Sequence, residues 1–168
     1  MNYKTDTKKG IYKLINPAKY LGDKVPIYKS KWEKKVFYAI DKNPYVLQWG
    51  YEVMPIYYHN PVYGRYTVYY PDIFCKIQKE DGKVEQLLIE IKPAHMMLMP
   101  DVPKKPAHQG MSAWQTYQKK LRAYQGKVRD YSINKAKWEA AHAWCMRHNV
   151  KWIFMHEKNT SGLFREGT

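Results

Sequence analysis

The run Val84-Glu85-Gln86-Leu87-Leu88-Ile89-Glu90-Ile91-Lys92 sets two charged residues into a stretch otherwise dense in aliphatic side chains. Alternation along a strand sends residues i and i+2 to the same side, so Glu90 and Lys92 project together while Leu87, Ile89 and Ile91 take the opposite face. A carboxylate and an ammonium in such a strand are expensive to bury unless something compensates them. A divalent cation held by Glu90 and Asp72, with Lys92 beside a reacting water, would supply that compensation. Hard carboxylate oxygens and one Lys suit Mg²⁺ better than zinc, which prefers His and Cys. Phosphodiester hydrolysis requires this set of parts.

The expected hairpin between Asp72 and Glu90 gives this idea a geometric condition. A two-residue Asp81-Gly82 turn would pair Glu80 with Lys83 and put Asp72 opposite Ile91, on the wrong face for Glu90. A shared site therefore demands one odd correction, either a three-residue loop or a single bulge.

Charge points to the partner class. The 168 residues carry 29 Lys+Arg against 15 Asp+Glu, a formal charge of +14. Residues 1–40 sum to +7, residues 41–100 to −1 and residues 101–151 to +8, so a near-neutral middle lies between two basic stretches. This pattern fits a folded core whose positive elements line a cleft for a polyanion. A scattered, solvated basic surface is the plainer alternative. With 45% hydrophobic residues the chain has material for a core, and wholesale disorder is excluded. Apolar runs are far shorter than a membrane span of about 20 residues. The start Met1-Asn2-Tyr3-Lys4-Thr5-Asp6 has no apolar stretch behind its charges, so no signal peptide is expected. Cys75 and Cys145 are too isolated for a zinc module or a disulfide framework.

Along the chain, residues 1–27 read as a basic, loosely packed arm, residues 28–158 as one α/β domain, and residues 159–168 as a polar tail. Ser30-Lys31-Trp32-Glu33 is a capping-box pattern, and Trp32, Val36, Phe37 and Ile40 follow at helical spacing, which predicts a helix over 31–42. Residues 51–59 and 65–78 predict strands, Val84 to Lys92 a third, and Val150 to Met155 a last one. Four prolines, with Met96, Met97 and Met99 between them, make 93–111 an irregular connection. A second helix is predicted from Ser132 or Asn134 to His148, closed by Asn149. Trp138, Trp144 and Trp152 are expected in the core.

Pro71-Asp72 followed by Glu90-Ile91-Lys92 resembles the PD-(D/E)xK signature of restriction-endonuclease-like nucleases. Together with Tyr28-Lys29-Ser30-Lys31-Trp32-Glu33, Asn43-Pro44, Trp49, Glu52, Ile89 to Pro93 and Asn134-Lys135-Ala136-Lys137-Trp138, the pattern resembles the head-completion nucleases of T4-like tailed phages over roughly residues 20–158. Transposon end-cleaving endonucleases share the layout. The resemblance implies a mixed central sheet flanked by helices and Mg²⁺-dependent cleavage of double-stranded DNA, with Mn²⁺ able to substitute. It further implies action on packaged DNA ends, in the host cytoplasm or on the virion, with portal or neck proteins as partners and no membrane. By the motif, Asp72 and Glu90 bind metal with the Ile91 carbonyl, Glu33 adds a carboxylate from the first helix, and Lys92 orients or activates the water. The Met- and Pro-rich segment after Lys92 and the amino-terminal arm depart from the family pattern.

Each of these residues has a plainer role beside the catalytic one. Glu33 completes a cap, Asp72 closes a turn, and Glu90 with Lys92 forms an edge ion pair. Glu52 is either a supporting carboxylate or a strand-end charge. His95 and His108 read as solvated loop residues. Lys119, Lys120, Arg122, Lys127 and Arg129, interleaved with Tyr117 and Tyr124, are candidates for phosphate contacts or a solvated helix face, and Lys135 and Lys137 for the same backbone. The rival functional readings are a DNA-gripping head or neck protein without catalysis and an endonuclease of transposition or recombination.

Overall fold

The computed structural model describes residues 9–107 and 110–156. In chain order these form β1 (Gly10–Ile11), β2 (Ile27–Tyr28), α1 (Lys31–Lys42), β3 (Val46–Tyr51), β4 (Ile56–Asn60), β5 (Arg65–Tyr69), β6 (Ile73–Gln78), β7 (Val84–Ile91), α2 (Met111–His148) and β8 (Lys151–Met155). Two short 3₁₀ turns occupy Pro17–Lys19 and Ala94–Met97. The centre is a four-stranded sheet ordered β3-β6-β7-β8, antiparallel except for the parallel pair β7–β8. It is an α/β architecture with a mixed sheet between two helices, as expected.

Each face of the sheet has its own cover. Val36, Phe37 and Ile40 of α1 pack with Trp49, Ile73, Leu87, Ile89 and Ile91 on one side. Ala141 and Cys145, from the carboxyl-terminal half of α2, pack with Ile56, Tyr58, Tyr69, Phe74 and Leu88 on the other. The β4–β5 hairpin lies over that second face. Ser30 caps α1 by accepting a hydrogen bond from Glu33 N at 3.1 Å, and Asn149 closes α2 in the left-handed region, with φ 53°.

Several expectations need correction. The segment expected as a loose arm is tied to the body from residue 9 onward, while residues 1–8 and the tail at 159–168 lie outside the described residues. Tyr12 is buried against Phe37 and Trp49, and its hydroxyl donates to the fully buried Asp41, which also accepts from the backbone N–H groups of Ile15 and Asn16. Lys and Tyr suggested solvent here, but the buried carboxylate gives the arm's backbone donors a partner. Second, the strand expected over 65–78 breaks at Tyr70–Asp72 and feeds two different sheets, because Pro71 offers no N–H to continue a ladder. Third, β3 begins at Val46, which the strand signals at 51–59 did not reach. Last, α2 starts at Met111, more than twenty residues before the expected position. Trp114, Tyr117, Leu121, Tyr124, Val128 and Tyr131 recur at alternating steps of three and four, which is the helical signal that Gly126 and Asp130 obscured. Trp144 and Trp152 are half-buried at the margin of the second core rather than inside it, and Trp138 is half-buried with its ring edge to face with Phe154.

Candidate active site

The β6–β7 hairpin satisfies the geometric condition. Gln78 pairs with Val84, Ile77 with Glu85 and Ile73 with Ile89. Between the strands, Lys79 N donates to Lys83 O at 2.8 Å and Gly82 N to Lys79 O at 2.9 Å, leaving a three-residue Glu80-Asp81-Gly82 loop. Gly82 has φ 80°, the left-handed conformation that such a loop needs in its last position. One step beyond Ile73 and Ile89, this register sets Asp72 opposite Glu90. Ile73 and Ile89 face α1, so Asp72 and Glu90 face α2 together.

Both carboxyl groups are held from several directions. Asp72 Oδ2 accepts the Ile91 N–H at 2.7 Å, and the Asp72 carbonyl accepts Glu52 N at 3.0 Å. Glu90 is 3% exposed; its Oε2 accepts the Tyr69 hydroxyl in a short hydrogen bond, and its Oε1 stands 3.0 Å from Lys92 Nζ. Burial, and then the Glu90 charge, push the Asp72 carboxyl up to about 8, against the opposing pull of Lys92 and the Ile91 N–H. Burial alone would depress the Lys92 ammonium, but Glu90 and Asp72 keep it above its ordinary value. Burial and the neighbouring Glu90 raise the Tyr69 phenol, so it remains a neutral donor.

The cluster opens into a pocket of about 260 Å³ lined by Lys29, Glu52, Val68, Tyr69, Tyr70, Asp72, Glu90, Lys92, Asn134 and Lys137. Lys137 reaches it from α2, with Nζ 5.5 Å from the Tyr69 ring centre. Burial, followed by the Lys92 charge, lowers the Lys137 ammonium. A buried and a half-buried carboxylate that repel each other, facing a polar pocket, are a donor set that fits a hard divalent cation. Among the described residues no three His, Cys, Asp or Glu side chains are placed to hold one ion together, so protein donors would be few. Mg²⁺ tolerates this, since it keeps several waters and commonly takes only one or two carboxylates.

The structure brings Asp72, Glu90 and Lys92 to one pocket, sets the Ile91 N–H on Asp72, and adds Lys137 from the basic set. Glu33 does not line the pocket; its Oε2 accepts Lys29 N at 2.6 Å in the cap of α1, while its charge still helps to hold the Lys92 ammonium up. Glu52, ambiguous from sequence, does line it, and pairs with Lys29 at 3.5 Å and Lys24 at 3.7 Å. Lys119, Lys120, Arg122, Lys127 and Arg129 lie on the exposed amino-terminal half of α2, extending about 27 Å from Lys137 at 1.5 Å per residue. Lys135 is exposed near Glu139 at 3.5 Å. His95 borders a separate groove between residues 95–103 and α2, and His108 lies outside the described residues.

The sequence does not single out Tyr69, and it marks Lys29 and Asn134 only as members of the resemblance motifs, with no site role. A Tyr that is to be buried needs a partner for its hydroxyl, which was the available signal, but only the packing of the hairpin on the sheet reveals Glu90 as that partner. Replacing Tyr69 with Phe should keep the fold, read by circular dichroism, and weaken divalent-metal binding about 10–100-fold, the usual loss when a ligand's supporting hydrogen bond goes.

With this geometry in view, the comparisons are informative. A family model described as TnsA-like endonuclease, N terminal, matches residues 43–157. The chain is 31% identical over 153 residues to a protein named "Head completion nuclease" from Enterobacteria phage T4, covering 90% of this chain and 93% of that protein. No solved structure matches.

Proposed function

This chain belongs to the TnsA-like endonuclease family, and from that premise we propose that it is a Mg²⁺-dependent endodeoxyribonuclease acting at Asp72, Glu90 and Lys92. The observation that carries the proposal is the three-residue loop, whose register turns Asp72 and Glu90 to one face beside Lys92. A protein that only gripped DNA would have no use for two mutually repelling carboxylates, one of them buried, facing a common pocket.

Asp72 and Glu90 would hold the cation, with the Ile91 carbonyl as a candidate third donor. Bound there, Mg²⁺ supplies Lewis acidity to the phosphoryl oxygen and acidifies water. Lys92 keeps its proton, and its Nζ, 3.0 Å from Glu90, can orient the attacking water and balance charge developing on the phosphoryl group. Lys137 and Lys29 line the mouth and counter the charge of the incoming phosphate. Water oxygen bonds to phosphorus as the bond from phosphorus to the 3′ oxygen breaks, leaving 5′-phosphate and 3′-hydroxyl ends. Lys119, Lys120, Arg122, Lys127, Arg129 and Lys135 would carry the flanking duplex along α2.

Given the name of the T4 relative, the substrate we propose is the end of packaged DNA, cut during head completion in the infected cell, with portal or neck proteins as partners. Supercoiled plasmid tests the chemistry. Nicked or linear product with Mg²⁺ or Mn²⁺, and none with EDTA, is the expected result; equal cutting in EDTA would sink the metal-dependent reading.

The carboxyl shift adds a pH signature. Below about 8 the Asp72 carboxyl holds a proton that the metal must displace. Mg²⁺ affinity should therefore rise with pH by up to about tenfold per unit below that value and level off above it. Titration calorimetry across this range checks the slope.

A further inference from the structure

We propose that the outward face of the β4–β5 hairpin is a stacking platform for unpaired nucleotides, so that the preferred substrate carries a single-stranded segment next to the scissile bond. The inference rests on the nuclease reading above and deepens it by naming the substrate class.

The hairpin divides its residues cleanly. Ile56, Tyr58, Asn60 and Tyr69 turn inward and are buried against the body. On the other face, the register pairs Tyr57 with Val68 and His59 with Tyr66. Tyr57 is 72% exposed and Tyr66 75%, far more than large aromatic rings need for packing alone. The His59 and Tyr66 rings meet edge to face, with centres 5.4 Å apart.

This strip runs into the active site. Val68, the cross-strand partner of Tyr57, lines the Asp72–Glu90 pocket, as does Tyr70. Cations bracket it at both ends. Lys24 sits 4.4 Å over the Tyr70 ring at the pocket end. At the hairpin tip, Arg65 and Arg129 lie 5.9 Å and 5.3 Å from the Tyr63 ring centre, and Arg129 Nη2 donates to the Tyr63 hydroxyl at 2.8 Å. Residues 56–70 include six Tyr and no Asp or Glu.

The chemistry selects the occupant. A duplex presents phosphates and sugar edges, which call for cations along the whole surface, whereas exposed aromatic faces with flanking cations suit bases released from their own stack. Continuity with the catalytic pocket and the lack of acidic side chains favour a nucleic-acid strand over a protein partner.

The test is a fluorescence titration, with EDTA present, of a short duplex with and without an oligothymidine tail containing 2-aminopurine. Wild type should prefer the tailed duplex and quench the probe. The Tyr57→Ala/Tyr66→Ala variant, shown folded by circular dichroism, should lose about tenfold in affinity for the tailed duplex and lose the quenching. Tyr57→Phe/Tyr66→Phe should retain both. Equal wild-type affinity for the two duplexes, or an Ala variant that keeps the tail preference, overturns the platform and leaves the face to another occupant such as a protein. Mg²⁺-dependent cutting of plasmid by wild type is scored separately, so a failed platform is distinguished from a failed nuclease reading.

Discussion

Replacing Lys92 with Ala should reduce Mg²⁺-dependent cleavage by about 10²–10³-fold while leaving DNA affinity within a few-fold of wild type. The reasoning is local. Lys92 Nζ is 3.0 Å from Glu90 and is the cation held most tightly against the carboxylate pair, so its removal takes charge from the reacting centre and little from the extended basic surface. The same variant leaves Glu90, 3% exposed, with the Tyr69 hydroxyl and without its ion-pair partner. Its metal-free form should lose about 1–3 kcal/mol of stability, and Mg²⁺ should restore part of the loss. Thermal melts with and without the cation read this directly. Unchanged cleavage would remove Lys92 from the mechanism.

Asp72→Asn should have opposite effects on activity and stability. Cleavage should fall to background, because a neutral amide is a poor ligand for a hard cation. The metal-free protein should nonetheless become more stable, and the sign follows from the raised carboxyl. Folded Asp72 keeps its proton to about 8 whereas the unfolded chain releases it near its ordinary 3.8. Wild-type stability from this group is therefore complete below the unfolded value and is lost as pH rises toward the folded one. The advantage of the Asn variant should be absent near pH 4, grow through neutrality and level off above about pH 8. Melts in EDTA across that range test it; an advantage independent of pH would mean that the carboxyl is not the source. A site that is less stable empty than a neutral substitute is the pattern expected where function, not folding, retains the charges.

The parts of this site that were legible in the sequence are those written into local pattern. Glu90 and Lys92 announced themselves as charges in an aliphatic strand. The odd loop followed from requiring Asp72 and Glu90 on one face, and Gly82 was available to make it. The α1 cap was readable from Ser30 and Glu33. That same cap gives the Glu33 carboxylate a local partner in the Lys29 N–H, and spacing alone does not separate this role from one at the metal site. What remained hidden depends on contacts distant in sequence. Tyr69 meets Glu90 across 21 residues, and Asp41 anchors Ile15 across 26. The early start of α2 was obscured differently, since its amino-terminal half carries mostly exposed Lys, Arg and Gln and lacks the deep burial of Ala141 and Cys145.

Soaking crystals of the protein in Mn²⁺ and collecting anomalous diffraction tests the central claim most directly. One strong anomalous peak is expected within coordination distance of both the Asp72 and Glu90 carboxylates. Two carboxylates pointing to opposite sides of the sheet, or a peak bound elsewhere with the Asp72–Glu90 pocket holding none, would contradict it.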